Sequence, residues 1–284
     1  MTSKKAYLPC LAKFIFYLSL RGNVVYWDVS PDIFSIGPVT IRWYGLLFAA
    51  SFIVGYQLMM VIFNKEGRSE NDLNDLVWYM VIGTVAGARL GHCLFYSPEY
   101  YLSHPLEILM VWKGGLASHG AAVSIIGALY LYIKAHKGYT FLWIMDRVVI
   151  TVALSGFFIR MGNLFNSEIV GKTTDVPWAF VFSAIDGQPR HPTQIYEAIA
   201  YLLIFFLLLT MYLRSGGKIK EGKLFGIFLI LVFGFRFFVE FLKENQSSFE
   251  ENLFLNMGQL LSIPLIVLGV YVLSIKEKKT IRIQ

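Results

Sequence analysis

The sequence predicts an all-α fold: a polytopic transmembrane helix bundle of about seven spans, with a structured loop region on the outer face. Three observations carry that expectation. The 284 residues are 56% hydrophobic, with a mean hydropathy of +0.57. Charged residues make up 15% of the chain, well below the roughly 25% usual in soluble domains. Apolar stretches near the roughly 20 residues that a bilayer demands recur along most of its length. The pI of about 9.1 therefore points to cytoplasmic loops and anionic lipid rather than to nucleic acid. Cys10 and Cys93 are too few for a disulfide framework, and five scattered histidines show no metal-ligand spacing.

Residues 1–22 read as a peripheral N-terminal extension. Their apolar part, 6–20, is short and broken by Lys13, and no small-residue cleavage site follows it. An amphipathic anchor or a partial eighth span is the alternative. Residues 23–40 lead along the outer face into the first span, with Gly37-Pro38 as a stop signal. The membrane-embedded domain is expected over 41–275. Its spans are expected near 41–63, 75–97, 119–136, 142–160, 194–213, 222–242 and 256–275. The polar segment 161–193 holds Asp186-Gly187 and three prolines, and its aromatics argue for an ordered loop. Residues 276–284 form a basic tail. No internal repeat is visible, which speaks against a transporter with duplicated halves.

Loop charge sets the orientation. Segments 64–74, 134–141, 214–221 and 276–284 carry eleven lysines and arginines, whereas the alternate loops carry only Lys113, Lys172, Arg190 and Lys243. The positive-inside rule then places the C-terminus in the cytoplasm and the N-terminus outside. Lys4, Lys5, Lys13 and Arg21 run against this bias without reversing it.

Polar groups at membrane depth are costly, so those present are candidates for a site. The run from Arg160 to Gly171 sits at the end of an apolar stretch and packs Arg160, Asn163 and Glu168 into one short run. Its arginine either grips an anion through its planar fork or snorkels to headgroups. Arg236 and Glu240 lie four apart within one span. They share a helix face, as a neutralising pair or as half of an anion clamp. Arg89, between Gly87 and Gly91, is either a third clamp member or a packing residue. His119 opens the third span among glycines, where an imidazole can exchange protons near neutral pH or simply cap the helix. His191 reads as a loop or cap residue before Pro192, with Tyr196-Glu197 in the same turn. Tyr44 suits an aromatic belt as well as a site, and Gln259 is placed to bond a neighbouring helix. No nucleophile elbow, P-loop or zincin helix is present. The residues alone describe a cationic, histidine-bearing site at the outer face for an anionic lipid.

The same residues resemble the prolipoprotein diacylglyceryl transferases, an integral-membrane family of bacteria. Arg160–Gly171 is similar to the family's signature, with Ile159 and Leu164 replacing its usual Gly and Phe. Ile33–Pro38 with Arg42–Gly45, Gly114–Gly120, Arg190–Glu197, Phe235–Phe241 and Met257–Ser262 resemble its other blocks, in the expected order. Ala121 follows Gly120 where many members have a second Gly, and the likeness spans about 27–275.

The resemblance implies that the chain moves the sn-1,2-diacylglyceryl group of phosphatidylglycerol onto the lipobox cysteine thiol of a preprolipoprotein. A thioether forms and glycerol 1-phosphate leaves, at the outer face of the inner membrane. No metal or soluble cofactor is implied. Carried over by position, the catalytic residues are His119, Arg160 and Arg236. The substrate-binding set is Tyr44, Arg160, Asn163, Glu168, Gly171, Arg236 and Glu240. A phosphate leaving group needs charge stabilisation more than a proton, which suits two arginines. A free thiol of pKa about 8.5 is only a few per cent thiolate at neutral pH, which suits a base such as His119. The alternatives are a non-catalytic transporter or scramblase of an anionic lipid, and a structural membrane protein whose charges only pair.

Overall fold

A computed structural model describes residues 18–21, 24–37, 39–111, 115, 117–244 and 254–275. Among the described residues, seven long helices occupy the seven expected segments: α1 Trp43–Lys65, α2 Glu70–Phe95, α4 Ser118–Ala135, α5 Phe141–Phe165, α6 Thr193–Arg214, α7 Lys223–Val239 and α8 Met257–Ser274. The short α3, Pro98–Ser103, is followed by a 3-10 turn at Pro105–Leu109. The helix bundle is polytopic. Among the described residues, α1, α5, α6, α7 with its 3-10 extension to Leu242, and α8 are long and apolar enough to cross a bilayer. In α2 the charges Glu70, Asp72, Asp75 and Arg89 dilute an otherwise apolar helix, and α4 is a shorter apolar one.

Local chemistry explains the edges. Helix α2 begins five residues before the expected span because the Ser69 hydroxyl caps it, with Glu70 and Asp72 in the first turn. Helix α5 runs five residues past its expected end, so Arg160 and Asn163 sit inside a helix rather than at its edge. Asn256 and Gln259 form a reciprocal capping box at the start of α8, and Pro264 is accommodated within that helix.

The chain divides into two compact units, and the division falls inside α1 and α5. Tyr56–Arg147 forms one unit; the residues up to Gly55 and from Val148 onward form the other. In the first, α2 and α4 pack on small residues. A Cβ at Gly87 would lie 2.6 Å from the Gly120 carbonyl oxygen, and one at Gly120 would lie 2.3 Å from that of Gly87. Close backbone approach of this kind is how helices pack where lipid gives no hydrophobic drive. Arg89 is buried here and donates to the carbonyls of Glu107 and Ile108, at 2.5 and 2.9 Å, and to that of Gly115. Its fork staples the α3 region to α2, which favours the packing reading of this residue.

The second unit holds the non-helical parts. Strands β1 Leu18–Arg21, β2 Val24–Trp27, β5 Phe180–Phe182 and β6 Pro189–Arg190 make one sheet in that order, with β2–β5 parallel and the other pairs antiparallel. The expected peripheral extension thus ends in a strand of this sheet, while residues 1–17 lie outside the described residues, as does the tail 276–284. Strands β3 Asp32–Ile36 and β4 Val39–Arg42 form a separate hairpin around Gly37, whose φ of 58° suits glycine. Trp27 and Phe182 pack with Leu164 and Phe165 in one buried cluster, so the sheet is anchored to the last turn of α5. Trp43 stacks on Phe165 with ring centroids 4.9 Å apart. The segment 161–193 is therefore an ordered cover over the end of α5 that carries Arg160.

Candidate functional site

Three helix ends gather the charges: the C-terminal part of α5 (Arg160), the first turns of α6 (Glu197) and the last turn of α7 (Arg236). Arg160 uses two edges of its guanidinium. Nε pairs with Glu197 Oε2 at 3.1 Å, and Nη1 donates to Asn163 Oδ1 at 3.1 Å. Asn163 Nδ2 then donates to Glu168 Oε1 at 2.8 Å. Glycines flank Arg160 along α5. A Cβ at Gly156 would lie 2.8 Å from the Tyr201 ring, and one at Gly162 would lie 2.7 Å from the Tyr44 ring. Both aromatics can lie against the helix only because those side chains are missing. Tyr201 donates to Glu197 Oε1 at 3.1 Å.

Glu197 is fully buried, and Oε2 also meets Lys243 Nζ at 3.0 Å. Lys243, 2% exposed, continues to Glu240 Oε1 at 2.9 Å. The same oxygen faces Arg236 Nε at 3.5 Å. A relay of alternating charge thus runs Arg160, Glu197, Lys243, Glu240, Arg236. Its inner members are buried, whereas Arg236 is 36% exposed and is the most open of the five. Charges buried at this depth persist only when paired. Five groups with three cations leave one net positive charge, and the exposed end of the relay is where an anion can reach it.

The loop after α5 is held under strain. Ser167 and Ile169 have φ of 52° and 58°, a region costly for a β-branched residue. The buried first turn of α6 holds it in place. Gln194 Nε2 donates to the Glu168 carbonyl at 2.7 Å, and Thr193 Oγ1 donates to that of Ile169 at 2.9 Å. This fixes Glu168, which is exposed and accepts from both Asn163 and Asn166.

Gly171 threads between two backbones. Its N–H donates to the His191 carbonyl at 3.0 Å, Lys172 N–H donates to that of Leu242 at 2.8 Å, and Gly171 bridges Lys243. A Cβ on Gly171 would sit 2.6 Å from the His191 oxygen and 2.8 Å from that of Leu242. Gly171→Ala is expected to cost about 1–3 kcal/mol by overpacking and to displace Lys243. A detergent melting temperature equal to wild type would refute this.

Arg190 locks the same region from outside. It pairs with Asp186 and with Glu244 Oε1, the latter at 2.8 Å, and donates to the Gly171 carbonyl at 3.1 Å. The Arg190 hydrogen bonds hold the Asp186 carboxyl below its ordinary range, and Asp186 in turn raises Arg190. Burial lowers His191, whose Nδ1 lies 3.2 Å from the Tyr196 hydroxyl. Among the described residues, no three His, Cys, Asp or Glu groups are arranged to hold a metal ion.

Of the expected site residues, Tyr44, Arg160, Asn163, Glu168, Gly171, Arg236 and Glu240 all fall in this one unit. Arg160 and Arg236 join through the relay rather than touching. His119 is the second residue of α4 and belongs to the other unit. Gln259 reaches a neighbouring helix as expected, donating to the Phe237 carbonyl of α7 at 3.3 Å. Glu197, Tyr201, Lys243 and Asn256 were not anticipated as site residues. An ionisable group in an apolar segment was the available signal for Glu197. Lys243 looks from sequence like an ordinary loop charge.

The family model for prolipoprotein diacylglyceryl transferase matches residues 31–275. The chain is 50% identical over 259 residues to the phosphatidylglycerol–prolipoprotein diacylglyceryl transferase of Chloroherpeton thalassium, covering 90% of this chain and 96% of that one. It is 47% identical over 257 residues to the enzyme of that name from Tolumonas auensis, with 90% and 99% covered. It is 42% identical over 265 residues to the Bacteroides fragilis enzyme, with 89% and 95% covered. With a matching family model over most of its length and relatives this similar, the chain belongs to the prolipoprotein diacylglyceryl transferase family.

Proposed function

We propose that the chain transfers the diacylglyceryl group of phosphatidylglycerol to the lipobox cysteine in the signal peptide of a preprolipoprotein. The cysteine sulfur attacks the glyceryl carbon that carries the phosphate. The C–S bond forms, the C–O bond breaks, and the electron pair leaves on the phosphate of glycerol 1-phosphate. The phosphodiester carries one negative charge, and the departing monoester develops a second. A fixed cation in a dry site is what that change requires. The observation that carries the reading is Arg236, a guanidinium left partly open at the end of a relay that is otherwise closed by ion pairs.

In this reading Arg236 binds the phosphate. Arg160 contributes its charge from behind, held by Glu197 and Asn163. Asn163, Glu168 and Tyr44 shape the headgroup side, Gly171 lets the cover pack closely, and Glu240 orients Arg236. His119 takes or orients the thiol proton. The nucleophile arrives on the substrate, so the buried Cys93 has no part in the reaction. The loop charges support placing the site at the outer face of the inner membrane, with the N-terminus outside and the C-terminus in the cytoplasm. The basic loop between α6 and α7 lies at the opposite ends of those helices from Glu197 and Arg236.

The test incubates detergent-purified protein with phosphatidylglycerol and a lipobox peptide. The peptide is expected to gain one diacylglyceryl mass on its cysteine. Lipid movement between leaflets of a vesicle with no adduct would overturn the reading in favour of a scramblase. In the same assay His119→Gln is expected to slow turnover by about 10²-fold or more and to change its pH profile. Near-normal turnover with an unchanged profile removes that role.

A further inference from the structure

Lys243 lies beyond the Phe235–Phe241 motif block and does not act on substrate in the reaction just described, yet it bridges the two carboxylates of the relay. Its ammonium sits 2.9 Å from Glu240 Oε1 and 3.0 Å from Glu197 Oε2. Glu240 is gripped from its other sides as well. Asn256 Nδ2 donates to Oε2 at 3.3 Å and to the backbone carbonyl at 3.4 Å. Gly258 packs so closely that a Cβ there would lie 2.5 Å from Glu240 Cδ. The carboxylate is therefore fixed in place, with Lys243 on the oxygen nearest Arg236.

An Arg and a Glu four apart on a helix face normally close into a short, charge-assisted contact near 2.8 Å. Here Arg236 Nε stays 3.5 Å from the oxygen that Lys243 holds at 2.9 Å. The Glu240 oxygen that Arg236 and Lys243 share thus lies closer to Lys243. It is 2% exposed, so it cannot meet a bulky substrate itself, whereas Arg236 is 36% exposed.

We propose that Lys243 is a positioning residue: by holding Glu240, it keeps the Arg236 guanidinium open for the phosphate of phosphatidylglycerol. This rests on the transferase reading above. Without Lys243, Glu240 closes on Arg236, and the lipid must displace a carboxylate before it binds. Affinity for the lipid falls while the chemical step, once the lipid is bound, is largely kept.

Removing Lys243 alone takes a cation from two buried carboxylates at once, so the test uses two charge-balanced pairs. Each removes one cation and one carboxylate. In Glu197→Gln/Lys243→Gln, Glu240 remains to capture Arg236. The KM for phosphatidylglycerol is expected to rise roughly tenfold over Glu197→Gln alone, the equivalent of one modest ion pair. The kcat should stay within about threefold, and thermal stability should be regained. In Glu240→Gln/Lys243→Gln no carboxylate is left to close, and KM is expected to stay within about twofold of Glu240→Gln alone. A structural role for Lys243 would move both pairs alike. Equal KM changes in the two pairs, or a fall in kcat with KM unchanged, overturn the proposal. Wild-type protein in the same assay separates the two readings. No adduct from wild type sinks the transferase reading, whereas an adduct without the expected KM split sinks this inference alone.

Discussion

Arg236→Ala is expected to abolish diacylglyceryl transfer while leaving the protein folded. The side chain is partly exposed and its ion pair to Glu240 is long, so its contribution to stability is small, about 0–1 kcal/mol as for other accessible pairs. Its loss strands no buried group, because Glu240 keeps Lys243 and Asn256. Catalysis is a different matter. Removing one preorganised donor from a developing anion costs roughly 10²–10³ in rate, and the loss of a full guanidinium charge lies at or beyond the upper end. Peptide mass spectrometry reads the adduct, and size-exclusion chromatography in detergent reads the fold. A variant keeping a large share of wild-type turnover, or one that aggregates, contradicts this assignment.

Glu197→Gln is expected to do the opposite: it acts on the fold first. Glu197 is fully buried and compensates both Arg160 and Lys243 through a single oxygen. Glutamine keeps the shape but leaves three cations sharing one carboxylate. Breaking a buried pair in this way costs roughly 3–5 kcal/mol, because the orphaned charge has no water to return to. The fraction of monodisperse protein surviving graded heating should drop clearly below that of Arg236→Ala. If Glu197→Gln is as robust as wild type, the buried relay is not what holds α5, α6 and the segment after α7 together.

These two residues show how far the sequence could be read. Arg236 and Glu240 were legible because four-residue spacing on one helix dictates a shared face. The run from Arg160 to Gly171 was legible because polar groups concentrated at the end of a span are expensive. Glu197 carried the same signal, an ionisable group in the first turns of an apolar segment, but nothing in its spacing names Arg160 as its partner. Lys243 gave no signal at all. Following a span, it counts as one more loop charge until the chain folds back and buries it between two carboxylates. Strands β5 and β6 were equally silent, since three and two residues are too few to show an alternating pattern. The left-handed backbone at Ser167 and Ile169 runs against their own preferences and is held there by Thr193 and Gln194.

The sequence by itself determined the class of protein, the seven helical segments, the family and most of the charged groups that meet. The family rests on the resemblance of six motif blocks; the rest follows from local quantities: apolar length, periodicity, and the cost of placing charge in lipid. Only the tertiary structure decided how those charges divide among themselves. Arg160 is spent on Glu197 and Asn163, Lys243 is spent on two carboxylates, and Arg236 alone of the three cations is left loosely held. That division depends on how helices distant in sequence are rotated against one another, and no spacing along a single chain encodes it.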